Sequence, residues 1–138
     1  EKACEVMSKS TDNSIRVISA VENMMPVAAE PFAVSADYVR EMEAEARKQA
    51  ASFNIEAEKI IRDQCQDNNI DIKTDVIMGS PARAIVEEAQ DWGADLIVVG
   101  SHGYGFWGRT FLGSVSDSVT RHAPCSVLVV RRNGTGNF

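Results

Sequence analysis

The feature that most constrains the fold is the run Leu96-Ile97-Val98-Val99, preceded by Asp95 and ending on Gly100. Apolar residues that do not alternate with polar ones fit a parallel strand covered on both faces, since a strand with one wet face shows a period of two. A parallel strand cannot reach its neighbour through a hairpin and needs a crossover, usually helical. The run therefore asks for helical segments before and after it, and both are present. Gly79 turns the chain, Ser80 caps, and Pro81 opens a helix running to Trp92, at the position where a missing N–H loses no partner; Gly93 ends it in the left-handed conformation. Beyond the run, a loop leads to a helix over Val115–His122, then Pro124 and a last apolar strand, Ser126–Val130.

The same alternation extends upstream. Ile15–Val21 is rich in β-branched residues and reads as a strand, and Glu22–Val34, carrying Pro26 and Pro31, as a loop. Ser35 caps a long amphipathic helix whose apolar stripe is Val39, Met42, Ala46, Ala50, Phe53, Ala57, Ile60, Ile61 and Cys65. A helix of about 30 residues is long for a globular protein, and a bend is expected at Ser52-Phe53-Asn54. Ile70, Ile72, Thr74, Val76 and Met78 alternate with polar residues and predict a strand with one wet face. Glu1–Ser8 reads as the tail of a helix, Lys9–Ser14 as a polar link and residues 131–138 as a flexible tail. The class is thus α/β: one domain over residues 1–138, an open and mostly parallel sheet with right-handed crossovers. Ligands of such sheets gather beyond the carboxyl ends of the strands, here just after Val21, Met78 and Val99.

Bulk properties narrow the function. The formal net charge of −6, spread along the chain, argues against a nucleic-acid binder, which needs a basic face to displace counterions from phosphates. A single nucleotide is not excluded, because backbone amides can hold one polyphosphate. Cys4, Cys65 and Cys125 are far apart, form no CxxC pair and fit no zinc spacing, so three reduced thiols and no metal site are expected. No apolar run reaches the roughly 18 residues of a membrane span, and the start lacks the pattern of a secretory leader. These readings point to a cytoplasmic protein without membrane or nucleic-acid partners.

Chemistry concentrates after Val99. Gly100-Ser101-His102-Gly103 is followed by nine residues and then Gly113-Ser114-Val115-Ser116. Glycines at a sheet's carboxyl edge let bare backbone approach a ligand closely. The chain re-enters at a helix capped by Ser114, whose first amides lack internal partners and carry the positive end of the helix dipole. Ser114 and Ser116 add hydroxyl donors for phosphate oxygens, and Asp117 can reach back to the cap amide. On the glycines alone the plainer alternative stays open, that they serve the turn and the serine the cap.

The pattern as a whole, Gly100-x2-Gly103-x9-Gly113-Ser114, resembles the ATP-binding signature of the universal stress protein family. So do the flanks Ala94–Gly103 and Ala123–Val130, and Gly79-Ser80-Pro81. The resemblance is specific over Met78–Arg131 and rests on element order over Ile15–Asp67. It implies a Rossmann-like, five-stranded sheet with helices on both faces, in a homodimer that binds ATP (or ADP or AMP). Carried over residue by residue, it places Gly100, Gly103, Gly113, Ser114, Val115 and Ser116 on the ribose and phosphates, and Val99 and Ala20 on the adenine side. The family's opening strand, ending in Val-Asp-x-Ser, has no counterpart here, because Asp12-Asn13-Ser14 precedes a strand instead of following one. A segment of about 10–20 residues before Glu1 is therefore expected to supply the central strand.

Within the loop, His102 either touches phosphate or ribose or serves through its backbone, and Arg109 is the one cation placed to meet phosphate. Phe106, Trp107 and Phe111 pack the loop onto its domain or cover the nucleotide. His122 sits at a helix C-terminus, where the dipole suits it. The charged face Glu41, Glu43, Glu45, Arg47 and Lys48 reads as solvated surface. The last strand has no later strand to cover it, and pairing with its own copy across a two-fold axis protects that edge.

Three functions compete. The first is a nucleotide-dependent stress-response or signalling module, favoured because no G-x-x-x-x-G-K-[ST] lysine and no evident pair of metal-holding carboxylates is present. Any Mg²⁺ then rides on the phosphates, no residue is catalytic, and hydrolysis is slow at most. The second is a nucleotide-free relative acting through protein contacts. The third is an adenine-nucleotide-dependent transferase or hydrolase, which lacks spare elements for a second pocket.

Overall fold

The structure, a computed structural model, describes residues 13–22, 35–65, 70–101 and 112–131. Among the described residues four strands and three helices alternate: β1 (Ser14–Val21), α1 (Ala36–Gln64), β2 (Asp71–Met78), α2 (Pro81–Trp92), β3 (Leu96–Gly100), α3 (Ser114–His122) and β4 (Ser126–Val130). The strands form two parallel pairs, β1 with β2 and β3 with β4. Contacts divide the chain into two compact units, one ending at Pro81 and the other starting at Ala82.

In the first unit β1 and β2 run in register from Ser14↔Asp71 to Val21↔Met78, and Gly79 N–H extends the ladder to the Val21 carbonyl (2.9 Å). The wet face expected for β2 is present: Asp71, Lys73 and Asp75 are exposed. α1 packs on both strands. Ser35 caps it as its sequence predicts, accepting from Tyr38 N–H (3.2 Å). Through Ser52-Phe53-Asn54, where a bend is expected, α1 keeps its helical assignment and runs for 29 residues. Asn54, 3% exposed, instead points into the unit. Its Oδ1 accepts from the Ser19 hydroxyl (2.6 Å) and its Nδ2 donates to the Asp75 carbonyl (2.6 Å), so one side chain ties α1 to both strands. The apolar stripe is also redistributed. Ala50 and Cys65 are buried, whereas Met42, Phe53 and Ile60 lie exposed on the flank, because the helix turns Asn54 toward the strands. The charged residues Glu41, Glu45, Arg47 and Lys48 face solvent as expected.

Cys65 caps the C-terminus of α1 and is disulfide-bonded, its partner sulfur lying outside the described residues; Cys125 is a free thiol. The expectation of three reduced cysteines is therefore corrected. Wide separation in sequence does not separate two sulfurs in space, and spacing is silent on pairing.

In the second unit β3 and β4 pair from Leu96↔Ser126 to Gly100↔Val130. Ala89 of α2, Ile97 of β3 and Val119 of α3 form the core, with Ile85, Val86, Val99, Val115 and Val127 packed against it. Val119 is fully buried and Ile97 is 8% exposed, but Val98 on the opposite face is 42% exposed. The apolar run is thus covered on one face within this unit, since α2 and α3 both pack on the Ile97 side. α2 ends as its glycine predicts: Gly93 takes φ +71°, and Ala94 N–H reaches the Ala89 carbonyl (2.9 Å). Among the described residues no helix is long and apolar enough to cross a membrane.

Candidate functional site

The carboxyl end of β3 meets the start of α3 through backbone. Ser101 N–H donates to the Val130 carbonyl (2.9 Å), which continues the β3–β4 ladder past Gly100. The Ser101 carbonyl accepts from Gly113 N–H (2.7 Å), so the segment between them leaves and returns at one point. Ser116, 3% exposed, directs its hydroxyl at two carbonyls, Gly113 (2.9 Å) and Ser101 (3.3 Å). A hydroxyl has one proton, which these two carbonyls share.

The cap of α3 is Gly113, not the expected Ser114, which is the first helical residue. A glycine supplies no side-chain acceptor, and none caps this helix. The first intrahelical bond runs from Asp117 N–H to the Gly113 carbonyl (2.9 Å). The amides of Ser114, Val115 and Ser116 accordingly make no bond among the described residues, at the positive end of the helix dipole. The Asp117 carboxylate does not reach back to the cap as expected; it pairs with Arg121 one turn on (3.1 Å). An exposed arginine outcompetes the cap amide because it brings a full charge to the same carboxylate.

Gly113 has φ −62° and ψ 151°, extended values that any residue adopts. Backbone conformation therefore does not demand glycine there, and what remains is room beside a bare Cα.

The structure brings Val99, Gly100, Gly113, Ser114, Val115 and Ser116 together in the second unit, each in its own way. Val99 and Val115 turn their side chains to the core and leave only backbone at the edge. Ser114 is exposed and Ser116 is buried. Ala20 lies in the first unit, near the carboxyl end of β1 and paired with Ile77. His102, Gly103, Phe106, Trp107, Arg109 and Phe111 lie outside the described residues, as do Glu1–Ser8, most of Glu22–Val34 and residues 132–138. His122 Nδ1 sits 2.8 Å from the Ser118 carbonyl, a local contact made by the tautomer protonated at that nitrogen. Sequence reasoning missed Ser101, which is buried and anchors both ends of the segment. It stood as one small residue among glycines, and only pairing could reveal its carbonyl as a shared acceptor. Among the described residues no group of three or more His, Cys, Asp or Glu could hold a metal.

Alternating parallel strands and helices, with a helix starting at a glycine-bearing strand end, describe an α/β fold of the class whose ligands gather beyond the carboxyl ends of the strands. Residues 1–131 match the universal stress protein family, and the chain belongs to that family. Universal stress protein A homolog 2 of Coxiella burnetii is 34% identical over 137 residues, covering 98% of this chain and 85% of its own length. A universal stress protein of Synechocystis is 37% identical over 95 residues, 69% of this chain, which spans only 56% of that relative. Among solved structures, universal stress protein UspA from Lactobacillus plantarum superposes with a TM-score of 0.70 at 22% identity, over 94% of this chain and 85% of its own. A universal stress protein family protein of Arabidopsis thaliana with AMP bound gives 0.56 at 20%, over 96% and 75%. A universal stress protein in complex with cAMP gives 0.51 at 21%, over 88% and 98%. These likenesses establish the Rossmann-like α/β fold of universal stress proteins.

Proposed function

We propose that this chain is an ATP-binding universal stress protein, a nucleotide-dependent stress-response or signalling module that works by binding and release. The observation that carries the reading is the start of α3. Three amides without a partner among the described residues sit at its N-terminus behind a glycine that the backbone does not require, beside the Gly100 end of β3. That cradle suits an anion, and a bare Cα at Gly113 lets backbone approach one closely. The AMP and cAMP held by two relatives of the same fold make adenine nucleotides the ligand class to test.

On this reading Gly100, Gly113, Ser114, Val115 and Ser116 surround the ribose and phosphates, with Gly103, His102 and Arg109 joining from the intervening segment. Val99 and Ala20 border the adenine. Bound ATP supplies charge for the helix start to hold; Mg²⁺ rides on its phosphates, and hydrolysis is slow at most. The same reading takes the chain as one cytoplasmic domain with a five-stranded sheet, helices on both faces, and a homodimer formed along the β4 edge.

Acid extraction of the purified protein with mass spectrometry, followed by calorimetry with ATP, ADP, AMP and cAMP, tests it. Recovered adenine nucleotide, and a binding signal abolished by Gly113→Val, are expected. Valine accepts φ −62° and ψ 151°, so the substitution brings no backbone strain, and circular dichroism of the variant checks that it folds. Neither extracted nucleotide nor calorimetric signal would overturn the proposal and favour a nucleotide-free protein acting through contacts.

A further inference from the structure

The two serines of Gly113-Ser114-Val115-Ser116 look interchangeable as hydroxyl donors, and the structure separates them. Ser114 is exposed, and its hydroxyl makes no bond within the described residues. Ser116 is almost completely buried, and both its hydroxyl contacts go to carbonyls of the chain itself, Gly113 and Ser101. Its own carbonyl accepts from the Thr120 hydroxyl (2.7 Å), a further tie within α3. The Ser101 carbonyl is the meeting point: it takes Gly113 N–H and faces the Ser116 hydroxyl, while Ser101 N–H is fixed to β4. A proton directed at two backbone carbonyls is not available to a ligand, and a buried hydroxyl freed from them would be left unsatisfied.

We propose that Ser116 is a positioning residue of the nucleotide site, and that of these two serines it is Ser114 that presents a hydroxyl to the ligand. Ser116 ties the first turn of α3 to the end of β3, and so fixes where the Gly113, Ser114 and Val115 backbone faces the ligand. This rests on the adenine-nucleotide reading of the site.

The test compares Ser116→Ala and Ser114→Ala in the full chain. Amide exchange at Gly113 is read by NMR without nucleotide, and ATP affinity by calorimetry. Ser116→Ala is expected to speed Gly113 exchange about tenfold and weaken ATP about tenfold, the effect of losing one hydrogen bond. Ser114→Ala is expected to weaken ATP while leaving Gly113 exchange unchanged. A Ser116→Ala protein with wild-type Gly113 exchange overturns the proposal, and so does one with wild-type ATP affinity. If the unsubstituted protein binds no adenine nucleotide, the functional reading falls, and the exchange comparison still decides whether Ser116 holds this junction.

Discussion

The two units solve one problem with different chemistry. Each is a parallel strand pair with helix packed on it, yet the first fastens its helix through a polar side chain and the second through apolar contact. In the first, Asn54 bonds Ser19 on β1 and the Asp75 carbonyl on β2, and the apolar residues around it are modest: Ala50, Cys65 and Ile70. In the second, Val119, Ile97 and Ala89 pack together with no polar group among them. Apolar packing tolerates small displacements, because it is non-directional. The hydrogen bonds of a buried amide do not, since misalignment leaves both partners unsatisfied. The first unit is therefore fastened by direction and the second by area, and the β3–α3 junction is built on the second.

Residue-level amide exchange across each unit can break this contrast. The largest effect is expected for Val119→Ala, which removes two methyl groups from the most buried position and should cost about 2–3 kcal/mol. Its loss of protection should centre on β3, β4 and α3. Asn54→Ala should cost about 2 kcal/mol by orphaning the Ser19 hydroxyl and the Asp75 carbonyl, with lost protection centred on β1, β2 and α1. Equal losses in both units from either substitution would show that the two fastenings are not separate. Gly93→Ala sharpens the second half of the comparison at the smallest scale. A Cβ there meets nothing within 4 Å, so only the φ of +71° is charged, and about 1 kcal/mol should be lost, as read from thermal unfolding. A cost well above that would mean the α2 terminus does more than end a helix.

Much of the fold was legible because periodicity and punctuation are local. The strands over 14–21, 71–78, 96–100 and 126–130 fall within a residue of their predicted bounds, as do the helices over 36–64, 81–92 and 114–122. At Ser52-Phe53-Asn54 the sequence did not reveal the role of Asn54, which is buried and bonded to both strands. A buried asparagine with distant partners looks, in sequence, like a polar interruption of the stripe. The misplaced cap has a similar origin: Ser114 is the better capping residue by type, but the bond between Gly113 N–H and Ser101 sets where the helix starts. Of the site, the glycines and serines were legible as a group. Their division of labour was not, because burial and the partners of Ser116 depend on a residue fifteen positions away.

The sequence by itself determined the order of elements, the parallel class of the strands and the family, and it singled out the stretch proposed as the site. Each of these follows from nearest-neighbour preferences, from the pattern of apolar residues or from a motif read in one pass. Tertiary structure alone decided which face of β3 is covered, that Asn54 is a latch, that Cys65 is bonded, and that Ser116 turns inward while Ser114 stays exposed. Those outcomes depend on which groups, remote in the chain, come within about 3 Å of one another, and hydrogen bonds of that length have no signature in composition or spacing.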